Sequence, residues 1–157
     1  MPEKRPPSDP RQVSAFPTLP KPTAAGGAPF ALSVYKDAFT RGQTELQAVH
    51  ASPDAPAVDV TATGDDGASA LLAQNASFSQ AAGIASLALP GETFFTVAVA
   101  PAGVAAPVAS FSILASPAER SFVLVTVALD PARGASLRLI GVDTSSSPWL
   151  ASIVLPD

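Results

Sequence analysis

Beyond residue 30 the chain alternates between short apolar runs and turn residues, with the two-residue period of β-strands. The run Thr93–Ala100 is the clearest case, and it places Phe95, Val97 and Val99 on one face. Ala68–Ala73 is rich enough in alanine to allow one helical turn instead. The predicted strands are Phe30–Tyr35, Glu45–Ala51, Ala57–Thr63, Ala70–Ala73, Ala76–Ser79, Ile84–Leu89, Thr93–Ala100, Val108–Leu114, Ser121–Leu129, Leu137–Val142 and Leu150–Leu155. Short strands at this spacing are typical of an antiparallel β-sandwich or barrel.

The N-terminal segment has a different character. Residues 1–29 contain eight of the 17 prolines of the chain. Proline lacks an amide hydrogen and restricts φ, so this segment is expected to be extended and polyproline-like, and to form neither a helix nor a central strand. The predicted organisation is a Pro-rich extended arm (1–29), an extra strand and linker (30–43) and a β-sandwich domain (44–157).

Composition excludes several classes of site. The 157 residues are 47% hydrophobic and 14% charged, with one His and no Cys. The absence of Cys excludes disulfides, thiolate zinc sites and cysteine nucleophiles. No apolar run approaches the ~18 residues of a transmembrane helix, so no membrane span is expected.

Charge is distributed unevenly. Residues 1–45 carry six bases against four acids, whereas residues 46–157 carry three bases against nine acids. Nucleic-acid binding needs basic residues on the folded part of a protein, so no nucleic acid is predicted as a partner. The basic segment is either a solvated tail whose charge aids solubility, or it lies against an acidic surface of its own domain or of a neighbour.

The most distinctive motif is Val49–Val60, which reads V-H-A-S-P-D-A-P-A-V-D-V. Its Pro, Ser and Asp residues predict a tight, rigid connection between two strands. His50 ends the first strand and Asp59 lies in the second, so an imidazole–carboxylate hydrogen bond is expected to hold this corner. The alternative is a metal contact through His50, Asp54 and Asp59. A metal site normally needs three or four ligands, and the chain has no second His and no Cys.

This motif resembles the signature of a prokaryotic family of extracellular β-sandwich domains of unknown function. Leu87–Gly91, Phe95–Val99 and Ala100–Gly103 match the family pattern too, and the resemblance covers about residues 44–143. It implies an immunoglobulin-like sandwich that is usually exported and often occurs in tandem copies. It implies no activity and no catalytic residues.

Other candidate sites are weaker. Asp65 and Asp66 place adjacent carboxylates in Gly64–Gly67, which suits either calcium or a solvated hairpin turn, and the spacing matches no known calcium loop. Ser52 lies two residues from His50 but lacks the glycines of a nucleophile elbow. No carboxylate pair is placed for glycoside hydrolysis. We therefore predict no enzyme, no cofactor and no firm metal site.

The chain termini suggest interaction. Phe30–Asp37 resembles Ser136–Asp143, so it is similar to the last strand of a missing upstream domain. Such a strand either packs on its own domain or adds to the sheet of a neighbour. Trp149 and Ile153 raise the same question at the other end. The residues predicted to make such contacts are Phe30, Leu32, Val34, Trp149 and Ile153.

The predicted function is that of a non-catalytic structural or interaction module of the cell surface or envelope, self-assembling through its terminal strands. Its partners are then proteins, including copies of itself. The alternative is a sandwich that binds carbohydrate or calcium. The first residues contain no apolar signal region, so either the protein stays in the cytosol or its signal has been removed. The location expected from the resemblance is extracellular or the cell envelope.

Overall fold

The computed structural model describes residues 13–18, 31–36, 38–40, 43–53, 55–87, 93–115, 121–128, 137–145 and 147–157. These residues form β-strands and turns with no helix, which confirms the all-β prediction. The strands are β1 (Val13–Thr18), β2 (Ala31–Lys36), β3 (Glu45–His50), β4 (Val58–Gly64), β5 (Ser69–Ala76), β6 (Ala85–Ser86), β7 (Thr93–Pro101), β8 (Ala109–Ala115), β9 (Ser121–Ala128), β10 (Leu137–Asp143) and β11 (Leu150–Val154). Among the described residues, no helix is long and apolar enough to cross a membrane.

The chain divides into two compact units, Met1–Ala38 and Phe39–Asp157. The first contains a two-stranded antiparallel sheet, β1–β2. The strand β1 lies within the segment that the sequence predicts to be polyproline-like, which is a correction. Pro17, paired with Leu32, is tolerated there because both strands of a two-stranded sheet are edge strands. Phe30 lies outside the described residues.

The second unit contains two sheets. One has five strands in the order β11-β10-β9-β3-β6, and the other has four in the order β5-β4-β7-β8. Every pairing in them is antiparallel except that of β3 with β9, which is parallel. The prediction from the sequence is of antiparallel pairing throughout, and the parallel pair of β3 and β9 corrects that prediction. Parallel neighbours need a long crossover, and in this unit β4 to β8 intervene between the two strands.

Two local predictions also change. Ala70–Ala73 and Ala76, expected in separate strands, lie in one strand, β5, whereas residues 77–79 of the expected strand Ala76–Ser79 lie outside it. The alternative helical turn at Ala68–Ala73 is absent. The ladder between β4 and β5 shifts register around Val60, and this irregularity lets the pairing continue through the polar part of β5. Of the expected strand Ile84–Leu89, only Ala85–Ser86 is a described strand.

The core draws on both sheets. Phe95, Val97 and Val99 are at most 1% exposed, as their alternation predicts. They join one buried cluster with Leu46 of β3 and Leu139 of β10, which belong to the five-stranded sheet. Burial of this cluster is the main stabilising contribution expected for a chain that has no Cys to form disulfides.

The register defines two ends of the second unit. At the corner end, β3 ends at His50, β4 begins at Val58 and β10 begins at Leu137. At the far end, β4 finishes at Gly64 and β10 at Asp143. Both β4 and β10 have seven residues, so the two ends lie about 20 Å apart along the strands.

Candidate functional site

The motif Val49–Val60 forms a rigid corner between β3 and β4. The Ala55 amide donates to the Ser52 carbonyl at 3.4 Å, closing a β-turn with Pro53 at its second position. On the other side of β3, the His50 amide donates to the carbonyl of Gln80 at 3.0 Å. The predicted tight connection is therefore present. Asp54 lies outside the described residues.

His50 is buried in this corner, with 2% of its surface exposed. Its Nδ1 accepts a hydrogen bond from the Ser52 amide at 3.2 Å, and its Nε2 lies 3.0 Å from the carbonyl oxygen of Pro56. A nitrogen that accepts an N–H carries no proton, and a carbonyl can only accept, so these partners assign the neutral Nε2–H tautomer. Both ring nitrogens are therefore engaged by the backbone of the corner.

The prediction of a hydrogen bond between His50 and Asp59 is wrong. Val58 and Val60 are buried in the core, so Asp59 between them points to the opposite face of β4. Its Oδ1 accepts the Asn75 amide at 2.7 Å, and its Oδ2 accepts the Gly103 amide at 2.9 Å. Asp59 thus joins β4 to the end of β5 and to the turn after β7.

The two amides that Asp59 binds belong to unusual backbone positions. Asn75 has φ of 50° and Gly103 has φ of 75°, in the left-handed region that Asn and Gly tolerate best. The hydrogen bonds from the Asn75 amide and then from the Gly103 amide lower the pKa of Asp59, and they outweigh the opposing effect of desolvation. The carboxylate in its charged form therefore stabilises two backbone positions with left-handed φ.

We expect acid to weaken this contact. The pKa of Asp59 is lower in the folded chain than its ordinary value of 3.8. Its stabilisation is therefore present above the unfolded pKa and is lost as the pH falls through the folded pKa. Thermal melts between neutral pH and about pH 2 measure this effect. The Asp59→Asn variant should lack the loss of stability that the unaltered chain shows below about pH 4 from protonation of Asp59. Asp65→Asn makes the same charge change in an exposed turn and should keep it; equal profiles for the two variants would contradict the assignment.

Asp65 and Asp66 lie in the turn between β4 and β5 and are exposed. Asp66 Oδ1 accepts the Ala68 amide at 3.0 Å, and the Gly64 amide donates to the Ala68 carbonyl at 2.8 Å. Gly67 has φ of 85°, a conformation that favours glycine. The structure therefore places these two carboxylates in a hairpin turn, at the far end from His50. Within the described part of the chain, no three His, Asp or Glu side chains are grouped to hold a metal ion.

The sequence analysis does not predict the burial of three polar residues, Glu45, Ser52 and Asp143. Glu45 and Asp143 are 6% and 7% exposed, and both lie at the far end. Glu45 accepts the Thr40 amide and Asp143 accepts the Ser145 amide. Ser52 is fully buried, and its hydroxyl has no hydrogen-bond partner. Nothing in the alternation pattern marks these residues, because their burial depends on chain segments that fold over the strand ends.

An apolar cavity of about 310 Å³ lies beside His50 among the described residues. Val58 and Val99 of the four-stranded sheet and Leu137 of the five-stranded sheet form part of its wall. Val108, which is 67% exposed, lines it as well. The sequence does not predict this cavity, because its walls come from four separated stretches of the chain.

The C-terminal strand packs on its own domain. β11 pairs with β10 at the edge of the five-stranded sheet, yet Ile153 is 63% exposed. After β11 the chain crosses to the other sheet, where the Asp157 amide donates to the Ser110 carbonyl at 2.9 Å. Trp149, just before β11, is half-buried. Leu32 and Val34 pair with Pro17 and Ala15 across the first sheet.

Three comparisons with known proteins, made against family models, curated proteins and solved structures, found no match. Function is therefore inferred from the geometry of the described residues. The resemblance of residues 49–60 to the extracellular β-sandwich family stays a prediction.

Proposed function

We propose that this protein is a non-catalytic structural or interaction module that self-associates through its terminal strands. The observation that carries the proposal is a contrast between polar and apolar groups. At the corner, both His50 nitrogens and both Asp59 oxygens are engaged by backbone groups. On the terminal strand β11, by contrast, the large side chains of Leu150 and Ile153 are exposed.

The edge position of β11 supports this proposal. An edge strand presents unpaired backbone groups that a strand from another chain can bind. In β11 four of the five side chains are exposed and the fifth is partly buried. Exposed aliphatic side chains on such an edge lose contact with water when a second strand or sheet covers them. Association is then favoured by burial as well as by backbone hydrogen bonds.

The N-terminal unit gives a second argument. A two-stranded sheet is marginally stable in water unless it packs against something else. Met1–Ala38 carries five bases against three acids, whereas Phe39–Asp157 carries four bases against ten acids. Opposite net charges favour contact between the N-terminal unit of one copy and the acidic unit of another, and they increase the rate of encounter.

The proposal also includes the immunoglobulin-like sandwich and the cell-surface or envelope location that the resemblance implies. Two sheets that share one buried cluster are consistent with an immunoglobulin-like sandwich. A module of this kind on the cell surface or envelope needs no reactive residue, which suits a corner where His50 and Asp59 bind the backbone of their own chain.

Deletion of residues 1–36 tests the role of the N-terminal unit. We expect the full chain to form oligomers and the truncated chain to be a monomer, as measured by size-exclusion chromatography with light scattering. The truncated chain should still melt cooperatively, because the buried cluster lies entirely within the retained residues. An unchanged oligomer after deletion, or a full chain that is monomeric at high concentration, would contradict the proposal.

A further inference from the structure

The exposed large apolar side chains are concentrated at the two ends of the second unit. Among the side chains that the structure describes, eight such residues are exposed by 46% to 67%. Three lie at the corner end, namely Val104, Val108 and Leu155. Three lie at the far end, namely Phe94, Leu114 and Leu150. Of these eight described residues, Leu71 and Ile153 alone lie midway along the strands. This distribution suits contacts made end to end rather than side to side.

The corner end also contains an acceptor for such a contact. Its cavity of about 310 Å³ is walled mainly by Val, Leu, Ala and Pro side chains. A cavity of about 150 Å³ already accepts benzene, so this one has room for a large aliphatic or aromatic side chain. The ring of His50, on the cavity wall, has both nitrogens engaged by the backbone. The cavity therefore offers apolar surface and little competing polarity.

The far end presents matching groups. Leu150 is 61% exposed where β11 begins, directly after the half-buried Trp149. Phe94 and Leu114 are paired across β7 and β8 at the same end. These side chains lie about 20 Å from the cavity along the strands, so one copy cannot fill its own cavity with them. A second copy can.

We propose that copies of this chain associate head to tail, with the Leu150 region at the far end of one copy seated in the corner cavity of the next. This inference rests on the proposed self-association. It adds to the contact of the N-terminal unit the surface that receives the terminal strand, and stable association requires both contacts. The two surfaces are different, so the contact is heterologous and each copy keeps one free acceptor and one free donor. Repetition produces a row of domains rather than a closed pair.

Two single variants and their mixture test the pairing. Val108→Asp places a charge at the cavity mouth, and Leu150→Asp places one on the donor. Both residues are more than half exposed, so the variants should fold. Each variant alone should need about tenfold more protein to associate, since burying an unpaired charge is costly. A mixture should regain association at the concentration of the unaltered chain, but only as dimers, because one intact donor meets one intact acceptor.

Leu71→Asp is the matched control, with the same change at a 54% exposed residue away from both ends. It should associate like the unaltered chain in sedimentation velocity. The head-to-tail contact is wrong if either end variant associates normally, if the mixture stays monomeric, or if Leu71→Asp is equally weakened. If deletion of residues 1–36 abolishes association while Val108→Asp does not, the proposed function stands and this acceptor site falls. Saturable binding of a small apolar dye to the cavity, with normal association of the Val108→Asp variant, would instead assign the cavity to a small ligand.

Discussion

Replacing Phe95 with Ala should destabilise the protein by about 3–5 kcal/mol in the free energy of unfolding. Phe95 is fully buried in β7 within the cluster that both sheets share. Removing its ring forfeits the transfer free energy of the buried surface and leaves a cavity that close-packed neighbours fill only in part. Domains of this size have total stabilities of about 5–15 kcal/mol. Urea unfolding should therefore show a large decrease in the midpoint.

Phe94→Ala is the control for this prediction. The two residues are adjacent, have the same side chain and lie in the same strand, but Phe94 is 51% exposed and pairs with Leu114 on the outer face. Its loss should cost about 1 kcal/mol at most, which is typical of a cross-strand pair on a surface. Similar midpoints for the two variants would contradict the assignment of the buried face of β7.

His50→Ala should lower the free energy of unfolding by about 2–4 kcal/mol, because the imidazole both packs in the corner and binds its backbone. The change removes the acceptor of the Ser52 amide and the donor to the Pro56 carbonyl. Ser52 is fully buried, so its amide loses its partner where water does not replace it easily. The missing ring also enlarges the apolar cavity on whose wall it lies. Thermal or urea unfolding measures this loss directly.

His50→Asn separates the structural role from a chemical one. The Asn side-chain oxygen is placed much as Nδ1 is, so it can accept the Ser52 amide, while the bond to Pro56 is lost. We expect its stability to fall between those of the unaltered chain and His50→Ala. If His50 were instead a metal ligand, the stability of the unaltered chain would rise with added divalent cation, and both variants would lose that response. A His50→Ala variant as stable as the unaltered chain would overturn the corner assignment.

The corner shows how far sequence reasoning reaches at the candidate site. Its rigidity is predictable, because Pro53 and Pro56 restrict φ and the turn is closed within four residues. The hydrogen-bond partners of His50 are not predictable from the sequence, because they depend on the orientation of the imidazole in the folded corner. The misplaced bond to Asp59 has a simple cause. The two-residue period that buries Val58 and Val60 also directs Asp59 away from the imidazole.

The strands show the same division. Periodicity placed β7 and its buried face correctly, since alternation is a local property of the chain. It split β5 in two because Gln74 and Asn75 interrupt the apolar pattern, whereas pairing with β4 carries the strand through them. Periodicity predicts no strand at Val13–Thr18, because prolines surround that stretch. The strand forms by pairing with β2, which lies at a distance along the chain.

The sequence by itself determined the all-β class of the fold, the buried face of β7 and the rigidity of the turn at Pro53. These properties depend on residues within a few positions of one another. What only the folded arrangement decided is the parallel contact of β3 with β9, the neutral tautomer of His50, the cavity beside it and the gathering of exposed apolar groups at opposite ends. These features depend on contacts between residues that are distant along the chain, and the local pattern of apolar and polar residues does not determine which distant segments are in contact.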